Sequence, residues 1–221
     1  MPSNSLHLKA LRVKFCRKNW PDNRLFRDHL WLCYNSAGFY SQQHSLSREH
    51  PARAITVNHL KIRQVITHDL DACHAVESRC FLPSEAASRE TIKTRINLFP
   101  QGFLVAELNN AIIGMVNSGA TNKEDISDEA FKAMVGHERN GVNIVIFSLA
   151  VLPEFQKQGI AKQLMVRFIE ASKQLGKQKI MLICKSNLID YYQRYGFIYV
   201  GESTSTHGGC KWHEMVLRYS H

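Results

Sequence analysis

The sequence predicts an α/β fold, a sheet flanked by helices, and three observations carry that prediction. Residues 144–151 form a nearly unbroken apolar run rich in β-branched side chains, the pattern of a strand buried on both faces. Past Gly159 the period changes: Ile160, Leu164, Met165, Phe168, Ile169 and Leu175 recur at helical spacing, with Lys162, Gln163, Arg167, Glu170 and Lys173 between them. On either side of this strand–loop–helix unit the chain reads as antiparallel pairs. One is a hairpin of Phe103–Leu108 and 111–118 around Asn109-Asn110, residues that tolerate the positive φ of a tight turn. The other is a final pair, 198–202 with Trp212–Arg218.

The remaining elements follow in chain order. Residues 60–65 alternate as a strand. Thr67 is the expected cap of a helix running to Cys80, with Asp69 in its first turn. Leu82-Pro83-Ser84 breaks that helix, and Ser84 is the expected cap of a second, which carries Thr91, Arg95 and Leu98 and stops before Pro100. Phe81, Ile96 and Phe99 are candidate liners of an acceptor site, with core packing as their other role. An acidic stretch with Glu124, Asp125, Asp128 and Glu129 follows the hairpin and runs into a short helical piece, 127–135. It is read as a flap or as a solvated loop. Gly176 closes the helix of the central unit. Lys179–Cys184 is a second buried strand, Asn187 the expected cap of a short helix over 188–195, and Gly196 its end.

The central junction has a physical use. The first N–H groups of a helix lack partners inside it and sit at the positive end of its dipole. Small residues let a ligand approach that backbone, which makes an anion site suited to phosphate. Gly159 and Ala161 stand in that first turn, and Lys157 and Lys162 add charge. The loop has neither G-x-x-x-x-G-K-[ST] nor G-x-G-x-x-G, so neither nucleotide fingerprint applies.

At these residues the chain resembles a known family. Gln156-Lys157-Gln158-Gly159-Ile160-Ala161 is similar to the (Q/R)-x-x-G-x-(G/A) acetyl-CoA loop of the GNAT N-acetyltransferase superfamily. Leu149-Ala150-Val151 before it resembles the L-x-V strand of that family. Further on, Tyr191-Tyr192-Gln193-Arg194-Tyr195-Gly196-Phe197 resembles its Y-x-(R/K)-x-G-F segment. The wording of that segment, with Trp212-His213-Glu214-Met215 in the last strand, resembles the arylalkylamine N-acetyltransferase branch. The likeness spans about residues 60–219 and implies a GNAT fold: a mixed, mostly antiparallel, twisted sheet with a splayed strand pair that takes the cofactor. It also implies that the pantetheine arm of acetyl-CoA pairs with the backbone at Leu149, Ala150 and Val151, and that the pyrophosphate meets Gln156 through Lys162. Asn187 and Tyr192 complete the expected acetyl-CoA set, and no metal is called for.

The implied reaction is attack of an amine on a thioester. An alkylamine near pKa ~10.4 is mostly protonated at neutral pH, so exposing its lone pair costs roughly 4.6 kcal/mol. A site must take that proton, often through water, or exclude the charged form by desolvation. The departing thiolate then needs an acid, and Tyr192 is the expected donor, because the resemblance sets it near the CoA sulfur. Tyr191 and Tyr195 point elsewhere by helical phase. The animal arylalkylamine enzymes place two histidines on the central strand, where this chain has Val145 and Phe147. His207, in the Gly-rich loop between the last strands, is therefore the expected base, ahead of His137, Glu107 and Glu214.

Composition bounds the rest. The 221 residues suit one domain with a full core, and 44% hydrophobic with 21% charged residues is globular. The net charge of +9 is uneven: residues 1–60 hold nine Lys/Arg against three acids, so +6 lies there. We therefore expect a basic N-terminal extension, 1–58, and an acetyltransferase domain, 59–221. A nucleic-acid role for the basic arm is the less favoured reading. The six cysteines make no C-x-x-C or zinc spacing, and a reducing, cytoplasmic setting is the simplest expectation. No apolar run is long enough to span a bilayer, and no secretory signal is evident, so no membrane partner is expected. The expected function is acetyl transfer from acetyl-CoA to a primary amine of a small molecule, arylalkylamine- or polyamine-like, by a monomer or homodimer. A protein N-terminus or lysine as acceptor, and a catalytically silent CoA-binding sensor, are the alternatives.

Overall fold

The computed structural model describes residues 14–15, 60–83, 85–124, 129–204 and 211–219. Its strands are β1 (Lys14–Phe15), β2 (Leu60–Gln64), β3 (Phe103–Leu108), β4 (Ala111–Thr121), β5 (Asn143–Val151), β6 (Lys179–Cys184), β7 (Ile198–Ser203) and β8 (Trp212–Arg218). Its helices are α1 (Leu70–Cys80), α2 (Arg89–Leu98), α3 (Ile160–Gln174) and α4 (Ile189–Gln193). The strands pair in the order β2-β3-β4-β5-β6-β8-β7, with β1 off this path against β5. All neighbours on the path are antiparallel except β5 and β6, so the expected mixed, mostly antiparallel sheet is found.

The apolar runs explain the middle of the sheet. All nine residues of β5 and all six of β6 are buried, because helices cover both faces. The two faces can be told apart on β4. An ideal Cβ on Gly114 would meet Leu164 of α3, whereas Asn117 accepts from Arg95 of α2. These residues are an odd number apart and face opposite sides, so α2 lies on one face and α3 on the other. Burying side chains such as Phe147, Leu149, Leu164 and Phe168 contributes about 1.5–3 kcal/mol each. The Asn109-Asn110 turn joins β3 to β4 with φ of +49° and +65°, as its residue types require.

Three caps differ from expectation. Thr67 lies inside a 3-10 turn, Thr67–Asp69, and does not cap α1. The chain enters α1 instead through Asp69, whose Oδ2 accepts the Ile66 N–H at 2.8 Å while Arg63 binds both carboxylate oxygens at 2.7 and 2.9 Å. A bivalent carboxylate held by arginine outcompetes a threonine hydroxyl for that end of the helix. Helix α2 begins at Arg89, and its cap is Ser88, whose Oγ accepts the Thr91 N–H at 3.1 Å. The expected cap, Ser84, lies outside the described residues. Asn187 sits within a 3-10 turn, Ser186–Leu188, and gives α4 no side-chain cap. Of the acidic stretch, residues 125–128 lie outside the described residues. Glu124 is an ion-pair partner of the buried Lys179, and Glu129–Ala133 is a 3-10 turn packed on β5.

The Asp69 knot makes the fold acid-sensitive. Burial alone would raise the Asp69 pKa, but the hydrogen bonds from Arg63 and the Ile66 N–H outweigh it and hold the carboxyl below its ordinary value. Its stabilisation is complete above the unfolded carboxylate value of ~3.9 and is lost as pH falls through the folded value. Asp69→Asn is expected to lower stability at pH 7 and to flatten the loss between pH 4 and pH 2, as read from urea melts across pH. A variant that keeps the wild-type acid slope would contradict this.

Candidate acyl-transfer site

The site begins with a register fault in β5. Asn117 of β4 pairs with Ser148, and the next residue, Ser118, pairs with Ile146. Phe147 is thus an extra residue, a bulge that bends the strand. The bulge turns two adjacent side chains to one face: the Arg95 guanidinium lies 4.7 Å from the Phe147 ring centroid, and Ser148 Oγ accepts from Asn117 Nδ2 at 2.5 Å. Beyond the bulge β5 leaves β6. The two pair only from Asn143↔Lys179 to Val145↔Met181, though β5 runs on to Val151 and β6 to Cys184. The other edge of β5 stays paired with β4 as far as Gly114↔Val151. So Leu149, Ala150 and Val151 flank an opening on the β6 side alone. The backbone of β1 lies along the near end of it, parallel to β5, with Lys14↔Ser148 and Phe15↔Leu149.

The opening leads to the loop before α3, which is braced from several sides. Val151 O accepts from Gln156 Nε2 at 2.9 Å and from the Cys80 thiol at 3.3 Å. Arg79 holds Glu154 by two bonds of 2.9 and 3.0 Å, and Gln158 Nε2 donates to Glu154 O at 3.3 Å. The Gln156 side chain is therefore spent inside the loop, which leaves ligand contact to the backbone. Lys157 and Gly159 take φ of +61° and +79°, turning the chain sharply into α3. A Cβ on Gly159 would meet nothing within 4 Å, so the space over the turn is open. The N–H groups of Ile160, Ala161 and Lys162 start a 15-residue helix and have no acceptor within it. Lys157, Gln158 and Lys162 are exposed. The arrangement can hold a phosphate group on backbone donors.

Tyr192 lies near Cys184, at the end of β6. It is fully buried in α4, edge-on to Tyr191 at 5.1 Å and to Phe197 at 5.7 Å. Its hydroxyl has no hydrogen-bond partner among the described residues. Burial pushes its pKa well above the ordinary tyrosine value, and nearby Cys184 and Tyr195 add to that. Cys184 ends β6, three residues past the last pair with β5, so Tyr192 belongs to the splayed half. A buried hydroxyl without an acceptor costs free energy that a bound acceptor would recover. The residues thus fit a thioester co-substrate: a strand edge that β6 leaves unpaired, a donor-rich turn, and a protonated hydroxyl near the end of β6. Asn187 is exposed in the turn before α4.

The other face of the bulge holds a network that local sequence patterns did not reveal. Arg95 is buried, with Nη1 on Asn117 Oδ1 at 2.9 Å and Nη2 on Lys132 O at 2.9 Å, and burial pulls its pKa down to about 10. Phe131 packs edge-on to Phe147 at 5.4 Å, so the turn 129–133 covers this face. Arg95, Asn117 and Ser148 are separated by 22 and 31 residues, and no spacing rule joins them. Phe81, Ile96 and Phe99 are buried core.

The described base candidates lie in separate parts of the fold. His207 lies outside the described residues. Glu107 binds Arg63 at 2.6 Å on the far side of the sheet order. Glu214 lies on β8 opposite Ile183 and Gly201. His137 stacks on Phe99 at 5.0 Å, and its Nδ1 accepts the Ala120 N–H at 3.1 Å. That bond places the proton of the neutral ring on Nε2, which therefore cannot accept another. Among the described residues no helix is long and apolar enough to cross a membrane, and no cluster of three or more His, Cys, Asp or Glu is placed to hold a metal.

Comparison with known proteins agrees with this geometry. The profile of the acetyltransferase (GNAT) domain matches residues 69–219. GCN5-related N-acetyltransferase 2, chloroplastic, of Arabidopsis thaliana is 28% identical over 99 residues, covering 43% of this chain and 38% of that protein. The chain spans about half or less of the length of the curated relatives it matches. The loading GNATL domain of CurA from Lyngbya majuscula superposes with a TM-score of 0.65 at 18% identity, over 73% of this chain and 98% of that one. YncA of Salmonella typhimurium, solved with acetyl-CoA, gives a TM-score of 0.56 at 16% identity, over 73% and 94%. At such identity these structures speak for the fold. The match of the domain profile over most of the chain goes further, and with it the chain belongs to the GNAT acetyltransferase family.

Proposed function

We propose that the chain is an acetyl-CoA-dependent N-acetyltransferase acting on a primary amine of a small molecule. The observation that carries the reading is the Tyr192 hydroxyl, buried and without an acceptor among the described residues, near Cys184 at the end of the strand that parts from β5. Acetyl-CoA would lay its arm along Leu149, Ala150 and Val151 and set its pyrophosphate on the N–H groups of the turn at Gln158, Gly159, Ile160, Ala161 and Lys162. Lys157 would add charge at the rim. The amine attacks the thioester carbon, the C–S bond breaks, and Tyr192 O–H gives its proton to the departing thiolate. A phenol held protonated by burial suits that step. The amine proton leaves through water or through His207.

The acceptor side favours a small molecule over a chain. Phe131 packs on Phe147 over the bulge and the Lys132 carbonyl is tied to Arg95, a cover that we read as favouring a compact acceptor. Apolar walls at Val145 and Phe147 also disfavour a charged ammonium, so desolvation can supply the free amine. The same two residues favour a second reading, a CoA-binding sensor without turnover, because they stand where a histidine relay would be. Nothing on the acceptor face singles out the arylalkylamine branch.

A thiol-release assay with acetyl-CoA and a panel of primary amines separates these readings. Amine-dependent turnover is expected, with Tyr192→Phe lowering kcat by about 10² or more at unchanged acetyl-CoA affinity. Binding without turnover for any amine would favour the sensor or a protein acceptor. Gly159→Val tests the turn: a β-branched residue at φ +79° is strained, and its side chain would enter the open space. It is expected to weaken acetyl-CoA binding by more than about tenfold, as read by calorimetry, while the fold persists. Unchanged affinity would remove the turn from the site.

A further inference from the structure

We infer that the Lys14–Phe15 segment is an in-chain competitor of acetyl-CoA: it occupies the strand edge that the pantetheine arm needs, so that arm and segment cannot bind together. The inference rests on the acetyl-CoA reading above. Its starting point is where β1 pairs. Because β4 takes one edge of β5 as far as Val151, the pairs Lys14↔Ser148 and Phe15↔Leu149 must use the edge facing β6. Because β6 pairs with β5 only through Val145, β6 leaves that edge from the bulge onward. The segment therefore lies in the gap between β5 and β6, and its end at Leu149 overlaps the proposed track of the arm.

The imitation is chemical as well as spatial. A β-strand edge offers alternating N–H and C=O groups, and any extended group carrying amides can satisfy them. A peptide segment and the amide-bearing pantetheine arm are two such groups. The pairing is parallel, covers two residues among those described, and is far shorter than the ladder β5 makes with β4. A contact of that length is at the weak end of strand pairing and can exchange. It would set a threshold for acetyl-CoA without blocking it. Apparent affinity falls by the fraction of molecules whose edge is open. A partner or modification that holds the N-terminal segment elsewhere would raise the affinity, and by linkage acetyl-CoA would release the segment.

The test uses the full chain with both residues changed, Lys14→Pro and Phe15→Pro, which removes the N–H of the pair that faces the edge whichever of the two it is. Calorimetry with acetyl-CoA is expected to give a Kd about tenfold lower for the variant than for wild type, equal to roughly 1.4 kcal/mol. In wild type, saturating acetyl-CoA is expected to speed tryptic cleavage after Lys14 by a similar factor. The second measurement needs no variant and so does not depend on how the substitution folds. Equal or weaker binding by the variant, or cleavage that acetyl-CoA leaves unchanged or slows, overturns the competition while leaving the acetyl-CoA reading intact. Absence of acetyl-CoA binding by both proteins overturns the two together.

Discussion

The structure depends on one mismatch, the extra residue at Phe147. A continuous ladder would have carried β5 alongside β6 to its end and sealed the sheet. The bulge bends β5 away after Val145, and three consequences follow. Backbone groups of the most buried strand gain an open side. The strand end at Val151 is aimed at the loop that starts α3. Phe147 and Ser148 turn to the same face, where Arg95 and Asn117 hold them. A buried guanidinium without a carboxylate at hydrogen-bonding distance is an expensive way to fix a strand. Its use here is intelligible if the position of the bulge, more than net stability, is what the network secures.

The two walls of the opening are built on different principles. The α3 wall is backbone: two residues with positive φ, a braced loop and the first turn of a helix, with side chains such as Gln156 used to hold the shape. The α4 side of the proposed site is a side chain, Tyr192, whose proton burial holds in place. A turn made this way can bind a charged, flexible co-substrate through fixed dipoles, and in the proposed mechanism the buried Tyr192 is the proton donor. The short strand β1 belongs to the same logic, since an edge open enough for acetyl-CoA is open enough for the chain itself.

What the sequence made legible was what depends on local spacing. The shift from a β-branched run to a 3.6 period around Gly159 located β5, the loop and α3, and Asn109-Asn110 located the hairpin. The caps at Thr67, Ser84 and Asn187 were misjudged because several short polar residues cluster at each helix start. Tertiary partners decide among them, as Arg63 does for Asp69. The network of Arg95, Asn117 and Ser148 joins three elements far apart in the chain, and each of its members looks ordinary where it stands. The pairing of Lys14–Phe15 spans two residues, too few to show a period of two in the sequence. His207 was chosen as base by elimination, and its loop lies outside the described residues.

The central claim is that the opened edge of β5 and the turn before α3 form one site for acetyl-CoA. Backbone amide shifts during an acetyl-CoA titration test it most directly. The account predicts that the largest changes fall together on Leu149, Ala150 and Val151, on Gln158 through Lys162, and on the Lys14 and Phe15 amides as they leave the edge. Changes confined to another surface, such as the groove between α1 and the Asn109-Asn110 turn, with the β5 amides unmoved, would contradict it.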